Sequence, residues 1–381
     1  MRRERVARWF AETFGGRPTV WSRAPGRVDL MGSHTDYNLG FVLTLSISRD
    51  TWVAARPRED SIVRLYSANL DALDSFDLDA IPARGDSEAH WSDYPRGVAW
   101  ALAAEGLSLR GFDAVIHSDV PIGSGLSSSA ALECAIAVTF RELGGWRTNA
   151  ERLALICQRA ENAYVGMNCG ILDQFSSCLG GAGCALLLDC RDLSTRPVRL
   201  ADGISVVICD TKSPRELVGG EYGARRTACE QGAASLGVPA LRDATMAQVA
   251  TLTGEIRKRC AFIVGENERV LAMSEALAAG DRGAIRSLCA QSFAGARDLY
   301  QICSPSMLAM MEAMMATPGA IGGRQAGAGF GGCMVAFVET GKSGTFAASA
   351  SERYSAKTGL TPEIYAVEAA AGAGLMDGPR A

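Results

Sequence analysis

Hydrophobic positions recur along the chain with two periods. At 4–14, 93–105, Ala130–Phe140 and Ala150–Tyr164 apolar residues fall three and four apart, which predicts helices; in 93–105 the face is Tyr94, Val98, Leu102 and Ala103. Extended runs at 18–30, Phe41–Val53, Phe112–Ser118, Cys184–Asp189 and Ile204–Asp210 predict strands. The second half reads as helix-rich, at about 221–236, 245–250, 266–279, 281–291 and 304–315. A strand at 332–339 follows a glycine-rich stretch. Helices and strands are mixed rather than strictly alternating, which suggests an α+β fold.

The length of 381 residues suggests two domains or one large one. A boundary is expected near 190–202, dividing the chain into 1–192 and 193–381, although no Pro/Ser tether marks it. Ala369–Ala381 is rich in small residues and is expected to fray. With 48% hydrophobic residues the chain can bury a large core. The net charge is −4, and the only lysines are Lys212, Lys258, Lys342 and Lys357. No basic run points to nucleic acid or an anionic membrane. No stretch of roughly 18 apolar residues suggests a span. Met1-Arg2-Arg3-Glu4-Arg5 is not followed by a secretory apolar region, so a cytoplasmic protein is expected, monomeric or weakly homo-oligomeric. The twelve cysteines are scattered, without metal-ligand spacing, and are expected to be reduced and buried.

Three segments carry candidate chemistry. Pro121-Ile-Gly-Ser-Gly-Leu-Ser-Ser-Ser-Ala-Ala131 joins a predicted strand to a predicted helix. Gly123 and Gly125 permit a tight turn, and Ser127, Ser128 and Ser129 open a helix whose free amides favour an anion. A single N-cap serine would need less, so phosphate binding is expected. It is not a Walker A loop, because no lysine precedes Lys212. Gly327-Ala-Gly-Phe-Gly-Gly332 matches G-x-G-x-x-G, but an apolar β-like run follows where a dinucleotide site needs a helix. It reads as a loop packed close to another loop or a ligand, or as a plain turn. Arg27, Asp29, His34, Asp36, Tyr37 and Asn38 cluster between apolar stretches. Their density suits a polyhydroxylated ligand, and their composition equally suits a turn. Asp173 lies in an apolar context and needs a cationic partner, for which Arg27 is a candidate; a structural ion pair is the other reading. A Ser-His-Asp hydrolase is disfavoured, because Gly-x-Ser-x-Gly is absent.

Taken together these segments resemble the galactokinase family of the GHMP kinase superfamily. Arg23-Ala-Pro-Gly-Arg-Val-Asp-Leu-Met-Gly-Ser-His-Thr-Asp-Tyr-Asn-Leu-Gly40 is similar to the family signature. Asp119–Ala131 is similar to its phosphate-binding motif and Gly323–Cys333 to its third motif. Ala160-Glu161, Cys169–Gln174 and Glu221–Arg226 also follow the pattern. The resemblance implies a two-domain α+β GHMP kinase fold with the active site in the interdomain cleft, using ATP and Mg²⁺ to phosphorylate the anomeric hydroxyl of a sugar such as galactose. It implies Asp173 as the catalytic carboxylate and Arg27 as its partner. Gly123, Ser124, Gly125, Leu126, Ser127, Ser128 and Ser129 would cradle the ATP phosphates, with Trp91 near adenine. Ser129 and Glu161 match Mg²⁺ ligands. Ser33, His34, Asp36, Gly170 and Tyr222 match sugar-contacting positions.

The chain departs from the pattern at four places. Ser33 stands where the family usually has a glutamate that contacts the carbon-6 hydroxyl, and Asp29 where it usually has asparagine. Asn162 and Phe262 replace histidines. Loss of the glutamate is expected to relax discrimination at carbon 6, which opens L-arabinose or galacturonate as alternative substrates. Some galactokinase relatives are sugar and ATP sensors without turnover, but here the expected catalytic and phosphate-loop residues are all present.

Overall fold

The computed structural model describes residues 1–84, 90–213 and 220–376. Its larger sheet has eight strands. β1 (Val20–Met31) and β2 (Phe41–Pro57) pair antiparallel along most of their length. β3 (Ile62–Ser67), β4 (Ala72–Asp77) and β5 (Phe112–Ser118) extend it, with β3 and β5 as a parallel pair. β2 is long enough to hold two partners on one edge: its first half pairs with β6 (Cys184–Asp189) and its second half with β5. β7 (Thr195–Arg199) pairs with β6. The four-stranded sheet is ordered β11-β8-β10-β9, from β8 (Ile204–Asp210), β9 (Ala320–Gln325), β10 (Cys333–Glu339) and β11 (Glu363–Val367). A two-residue strand β12 (Gly374–Leu375) returns to β1.

Eleven α-helices cover these sheets among the described residues: α1 (Arg2–Phe14), α2 (Asp93–Ala104), α3 (Ser128–Gly144), α4 (Ala150–Arg159), α5 (Leu172–Leu179), α6 (Glu221–Leu236), α7 (Met246–Val249), α8 (Gly254–Ala279), α9 (Arg282–Gly295), α10 (Pro305–Met315) and α11 (Ser343–Thr358). Helices α2 to α5 bury Val98, Leu102, Ile136, Phe140, Ile156 and Phe175 against the larger sheet. The faces of the two sheets share one apolar core, in which Val28, Leu30 and Leu43 meet Val206, Ile208, Val335 and Phe337. No helix among the described residues is long and apolar enough to cross a membrane. The twelve cysteines form no disulfide among the described residues, and most are buried.

Several expectations shift. The helix expected over Ala150–Tyr164 ends at Arg159 and continues as a wider π-helical turn, Ala160–Val165. Such widened turns bring side chains to positions that a regular helix cannot reach. The expected helix 266–279 begins at Gly254. The expected fraying after Ala369 is overturned up to Met376: Ala370 N–H donates to Ser46 O, Ala373 N–H to Ser177 O and Met376 N–H to Trp21 O. The remaining residues, 377–381, lie outside the described part. The division drawn at 192/193 lies in the turn between β6 and β7, and the chain passes from the larger sheet to the smaller one at 200–203, beside the expected 190–202 region. Strand β9 escaped notice because Ala-Ile-Gly-Gly-Arg-Gln lacks a strand pattern. Its glycines serve helix contact: a Cβ at Gly323 would lie 2.3 Å from Met314 Cε, and one at Gly322 3.1 Å from Cys289 Sγ.

One buried ionic cluster crosses the apolar core. Arg324 on β9 has no exposed surface. Its Nη2 donates to Glu266 Oε1 at 2.9 Å and to Ser33 Oγ at 2.9 Å, its Nε donates to Ser292 Oγ at 3.1 Å, and its Nη1 lies 3.3 Å from Asp29 Oδ2. Arg269 Nε adds a second cation to Glu266 at 2.8 Å. Burial alone would raise the Glu266 carboxyl; Arg324 and Arg269 outweigh it and hold it below its ordinary value. Two carboxylates and two guanidiniums thus balance where no water screens them. Replacing Arg324 by Met is expected to destabilise the protein by about 3–5 kcal/mol, because Asp29 and Glu266 would stay buried with one cation between them. Urea unfolding of the variant against wild type measures this.

Candidate functional site

A cavity of about 560 Å³ opens between the two sheets' lobes, within the usual range for small-molecule sites. Arg27 on β1 organises its floor. β1 is irregular between Pro25 and Arg27, where Gly26 lets the strand touch the loop after β5; a Cβ there would lie 2.7 Å from Leu126 O. Arg27 N–H is thereby diverted to Leu126 O at 3.0 Å. The guanidinium then reaches in two directions. Nη1 donates to Gly125 O at 2.7 Å, while Nε and Nη2 both donate to Asp173 Oδ1, at 2.7 and 2.5 Å. Asp173 sits in the first turn of α5, with Oδ2 free of hydrogen bonds among the described residues. Arg27 is therefore the cationic partner that an acid in this context needs.

The loop before α3 has the expected form. Gly123 and Gly125 take φ of 73° and 90°, and Ser127 enters the helix left-handed, at φ 58°. Ser127, Ser128 and Ser129 line the cavity at the positive end of α3. Ser127 Oγ is buried and has no partner among the described residues. Ser124 and Leu126 do not line the cavity. Ser124 Oγ turns back to Pro121 O at 2.8 Å, and the Leu126 side chain is buried in the core between the sheets. Those two residues shape the loop through their backbone, and Ser124 O also accepts from Cys333 N–H at 3.0 Å.

Glu161 lies in the π-helical turn, beside Ser129 and Gln174. Gln174 Nε2 donates to Glu161 Oε2 at 2.5 Å and to Glu133 Oε2 at 3.1 Å. Burial and then the Asp173 charge push Glu161 up to about 7, against bonds from Cys169, Ser129 and Gln174. Glu133 is fully buried, and burial followed by the Glu161 charge raises it strongly. Sequence reasoning missed Glu133 and Gln174, although an acid four residues after Ser129 on a helix must face the same side. Asn162, which replaces a family histidine, clamps the turn before Asp173: it donates from Nδ2 to Cys169 O at 3.1 Å and accepts from Cys169 N–H at 2.9 Å.

The polar segment after β1 is both a turn and a cavity wall. Asp36–Asn38 forms one 3₁₀ turn, and Asn38 Nδ2 donates to His34 O at 2.9 Å. His34 has φ 66° and spends both ring nitrogens on the protein. Nε2 must donate to Ala328 O, at 3.0 Å, because a carbonyl only accepts; Nδ1 of the neutral ring then accepts from Tyr37 OH at 2.8 Å. Tyr37 accepts in turn from Tyr300 OH at 2.8 Å, and Tyr300 from the Cys229 thiol at 3.3 Å. Burial drives His34 down to about 4, so the neutral form assumed in this chain holds at neutral pH. Phe262, replacing the other histidine, packs on Tyr300 with ring centroids 4.6 Å apart. Asp36 rests against bare backbone: a Cβ on Gly170 would lie 1.7 Å from Asp36 Oδ2. Tyr222 and Trp91 complete the wall, Trp91 with a buried, unpartnered Nε1. The Gly327–Gly332 cluster also belongs here, since Gly327 and Ala328 line the cavity and Phe330 N–H is tied to Ile302 O at 2.7 Å. Of its two readings, close packing against other loops is the one observed. Ser33 lines the cavity too, but its hydroxyl is spent on Asp29.

Residues 93–181 match the GHMP kinases N terminal domain model, 8–57 the galactokinase galactose-binding signature, and 273–356 the GHMP kinases C terminal model. A galactokinase of Chloroflexus aggregans is 45% identical over 372 residues, covering 95% of each chain. The chain belongs to the galactokinase family. A crystal structure of Lactococcus lactis galactokinase complexed with galactose superposes with a TM-score of 0.91 at 31% identity, over 98% of this chain and 99% of that one. Mevalonate kinase of Methanococcus jannaschii, at 15% identity and a TM-score of 0.67 over 93% of this chain and 99% of that one, shares the GHMP kinase fold alone. The two-domain α+β architecture expected of the family is the one observed, with the cavity between the domains.

Two outcomes follow from the packing around Asp36. Gly170→Ala is expected to displace the Asp36 carboxylate and to weaken sugar binding more than nucleotide binding, which titration calorimetry with each ligand would resolve. The second concerns pH. Burial raises Asp36 from 3.8 to about 6. The unfolded chain gives up this proton near pH 4, whereas the folded one must give it up inside the wall. Stability is therefore lost as the pH rises from about 4 to about 6. Asp36→Asn removes that loss, so its melting temperature relative to wild type should rise between pH 4 and pH 7.

Proposed function

We propose that this chain transfers the γ-phosphoryl group of ATP to the anomeric hydroxyl of galactose, giving galactose 1-phosphate and ADP. The observation that carries the reading is the Asp173–Arg27 pair, set between a wall of sugar-binding type and the amide end of α3. In this assignment Asp36, Gly170, Tyr222 and the His34 turn hold the sugar. Gly123, Gly125 and Ser127–Ser129 receive the phosphates, and Trp91 flanks the base. Ser124 and Leu126 support the loop from behind.

Asp173 Oδ2 accepts a hydrogen bond from the anomeric hydroxyl and orients its lone pair toward the γ-phosphorus. As the new O–P bond forms, the bond from phosphorus to the β–γ bridging oxygen breaks and the electron pair leaves on ADP. The hydroxyl proton departs along the bond to Asp173. Phosphoryl transfer passes through a loose transition state, so most of the task is alignment and charge stabilisation. Arg27 serves both, because one guanidinium fixes the carboxylate and the loop carbonyl. Ser129 Oγ and the Glu161 carboxylate are hard oxygen donors next to the phosphate loop, which fits Mg²⁺. Held there, Mg²⁺ would supply positive charge to the transferring phosphoryl group. A cytoplasmic setting fits cysteines held as thiols.

Asp173→Ala is expected to lower kcat by about 10²–10⁴-fold or more while galactose still binds, because a positioned proton acceptor contributes on that order. Coupled ADP release and calorimetry on the same preparation check the two halves. Among galactose, L-arabinose and galacturonate, galactose should give the highest kcat/KM. A higher value for either of the others would reassign the substrate.

A further inference from the structure

Asp29 is 1% exposed, yet one of its oxygens has no partner. Oδ2 accepts from Ser33 Oγ at 2.5 Å and lies 3.3 Å from Arg324 Nη1. Oδ1 is enclosed and accepts nothing among the described residues. Neighbouring donors are committed elsewhere. Arg324 spends Nε on Ser292 and Nη2 on Glu266 and Ser33. Ser33 has one hydrogen, and it goes to Oδ2. A carboxylate oxygen sealed from water is costly unless something donates to it. The protein holds the carboxyl in place from behind with a buried guanidinium and leaves the other oxygen without a donor. Asp29 also lines the cavity, so a ligand can bring the missing donor.

Its place along β1 says which part of the ligand. Arg27 and Asp29 are two residues apart and pair regularly with Ser46 and Thr44, so their side chains share a face of the strand. Two residues of strand advance about 7 Å, comparable to the reach across a hexose. Arg27 marks the reacting end through Asp173. Asp29 therefore faces the end remote from the anomeric carbon.

We propose that Asp29 Oδ1 accepts a hydrogen bond from the galactose hydroxyl on carbon 4 or carbon 6, and that Asp29 sets this chain's sugar specificity. The proposal rests on the galactose reading above. It also reverses the expectation drawn from Ser33. The acid missing at 33 is present at 29, where the family pattern has asparagine, and Ser33 has become its hydrogen-bond donor. The two departures compensate, and discrimination at the far end of the sugar is kept. L-arabinose would leave Oδ1 unpaired if the donor is on carbon 6, and galacturonate would set a second carboxylate against it.

The test is kcat/KM for galactose, 4-deoxygalactose and 6-deoxygalactose on wild type and Asp29→Ala, with a crystal structure of wild type bound to galactose. Wild type is expected to prefer galactose over one of the deoxy sugars by about 10–100-fold, the range for a hydrogen bond to a charged group. In Asp29→Ala that ratio should collapse toward one. An unchanged ratio, with all three sugars depressed together, would reduce Asp29 to a structural anchor for Arg324 and overturn the proposal. If the variant does not fold, the complex decides: a carbon-4 or carbon-6 hydroxyl within hydrogen-bond distance of Oδ1 supports the proposal, and a trapped water there overturns it. Failure of wild type to bind or phosphorylate galactose at all would instead strike the substrate reading.

Discussion

The guanidinium of Arg27 is the point through which the two halves of the cavity are joined. It is buried, and its donors go to a carboxylate on α5 and to a carbonyl in the loop before α3. Its own backbone N–H is tied to the same loop. A shift of β1 would therefore move Asp173 and the loop before α3 together, and their relative position would be kept. That rigidity suits phosphoryl transfer, where small errors in alignment cost much of the rate. Gly26 makes it geometrically attainable, since any side chain there would collide with the loop carbonyl.

Around that centre, burial decides the protonation and direction of the polar groups. The row Cys229–Tyr300–Tyr37–His34–Ala328 has one consistent arrangement of hydrogens, because it ends on a carbonyl that can only accept. It ties the turn at His34 to Tyr300, Cys229 and Ala328 without any charge. The Arg324 cluster performs the corresponding task with charge, balancing two acids against two guanidiniums inside an apolar core. Asp173, Glu161 and Glu133 are different: they crowd like charges where water is scarce, and the Glu161 and Glu133 carboxyls are pushed up accordingly. Carboxyls shifted in this way cluster at functional sites.

How much could be read without coordinates varied by residue type. The loop before α3 was legible as a strand-to-helix turn because its signal is local: two glycines, four serines and the start of a helix lie within eleven consecutive residues. The reaction class was legible from three such segments in order. The long helices and the strands at 112–118 and 204–210 carried clear periodicity. The residues that were not legible act over long separations. Arg324 and Glu266 stand 58 residues apart and Ser33 and Arg324 291 apart, and nothing in their surroundings marks them as partners. β9 lacks a periodic signal because its glycines serve contact with Met314 and Cys289, and the periodicity over Ala150–Tyr164 shows a helix without showing its widening at Glu161, where Asn162 bonds to Cys169.

The polar segment from Gly32 to Asn38 shows where the limit lies. Its composition determined that it would turn and that it would present hydrogen-bonding groups, because backbone preference and side-chain chemistry are properties of the residues themselves. Composition left open which groups face a ligand. Only folding decided that both His34 nitrogens face protein, that Asp36 is enclosed over Gly170, and that the Ser33 hydroxyl serves Asp29. A hydrogen bond has one donor and one acceptor at a fixed distance, and whether a side chain is spent or available depends on what the rest of the chain brings within about 3 Å of it.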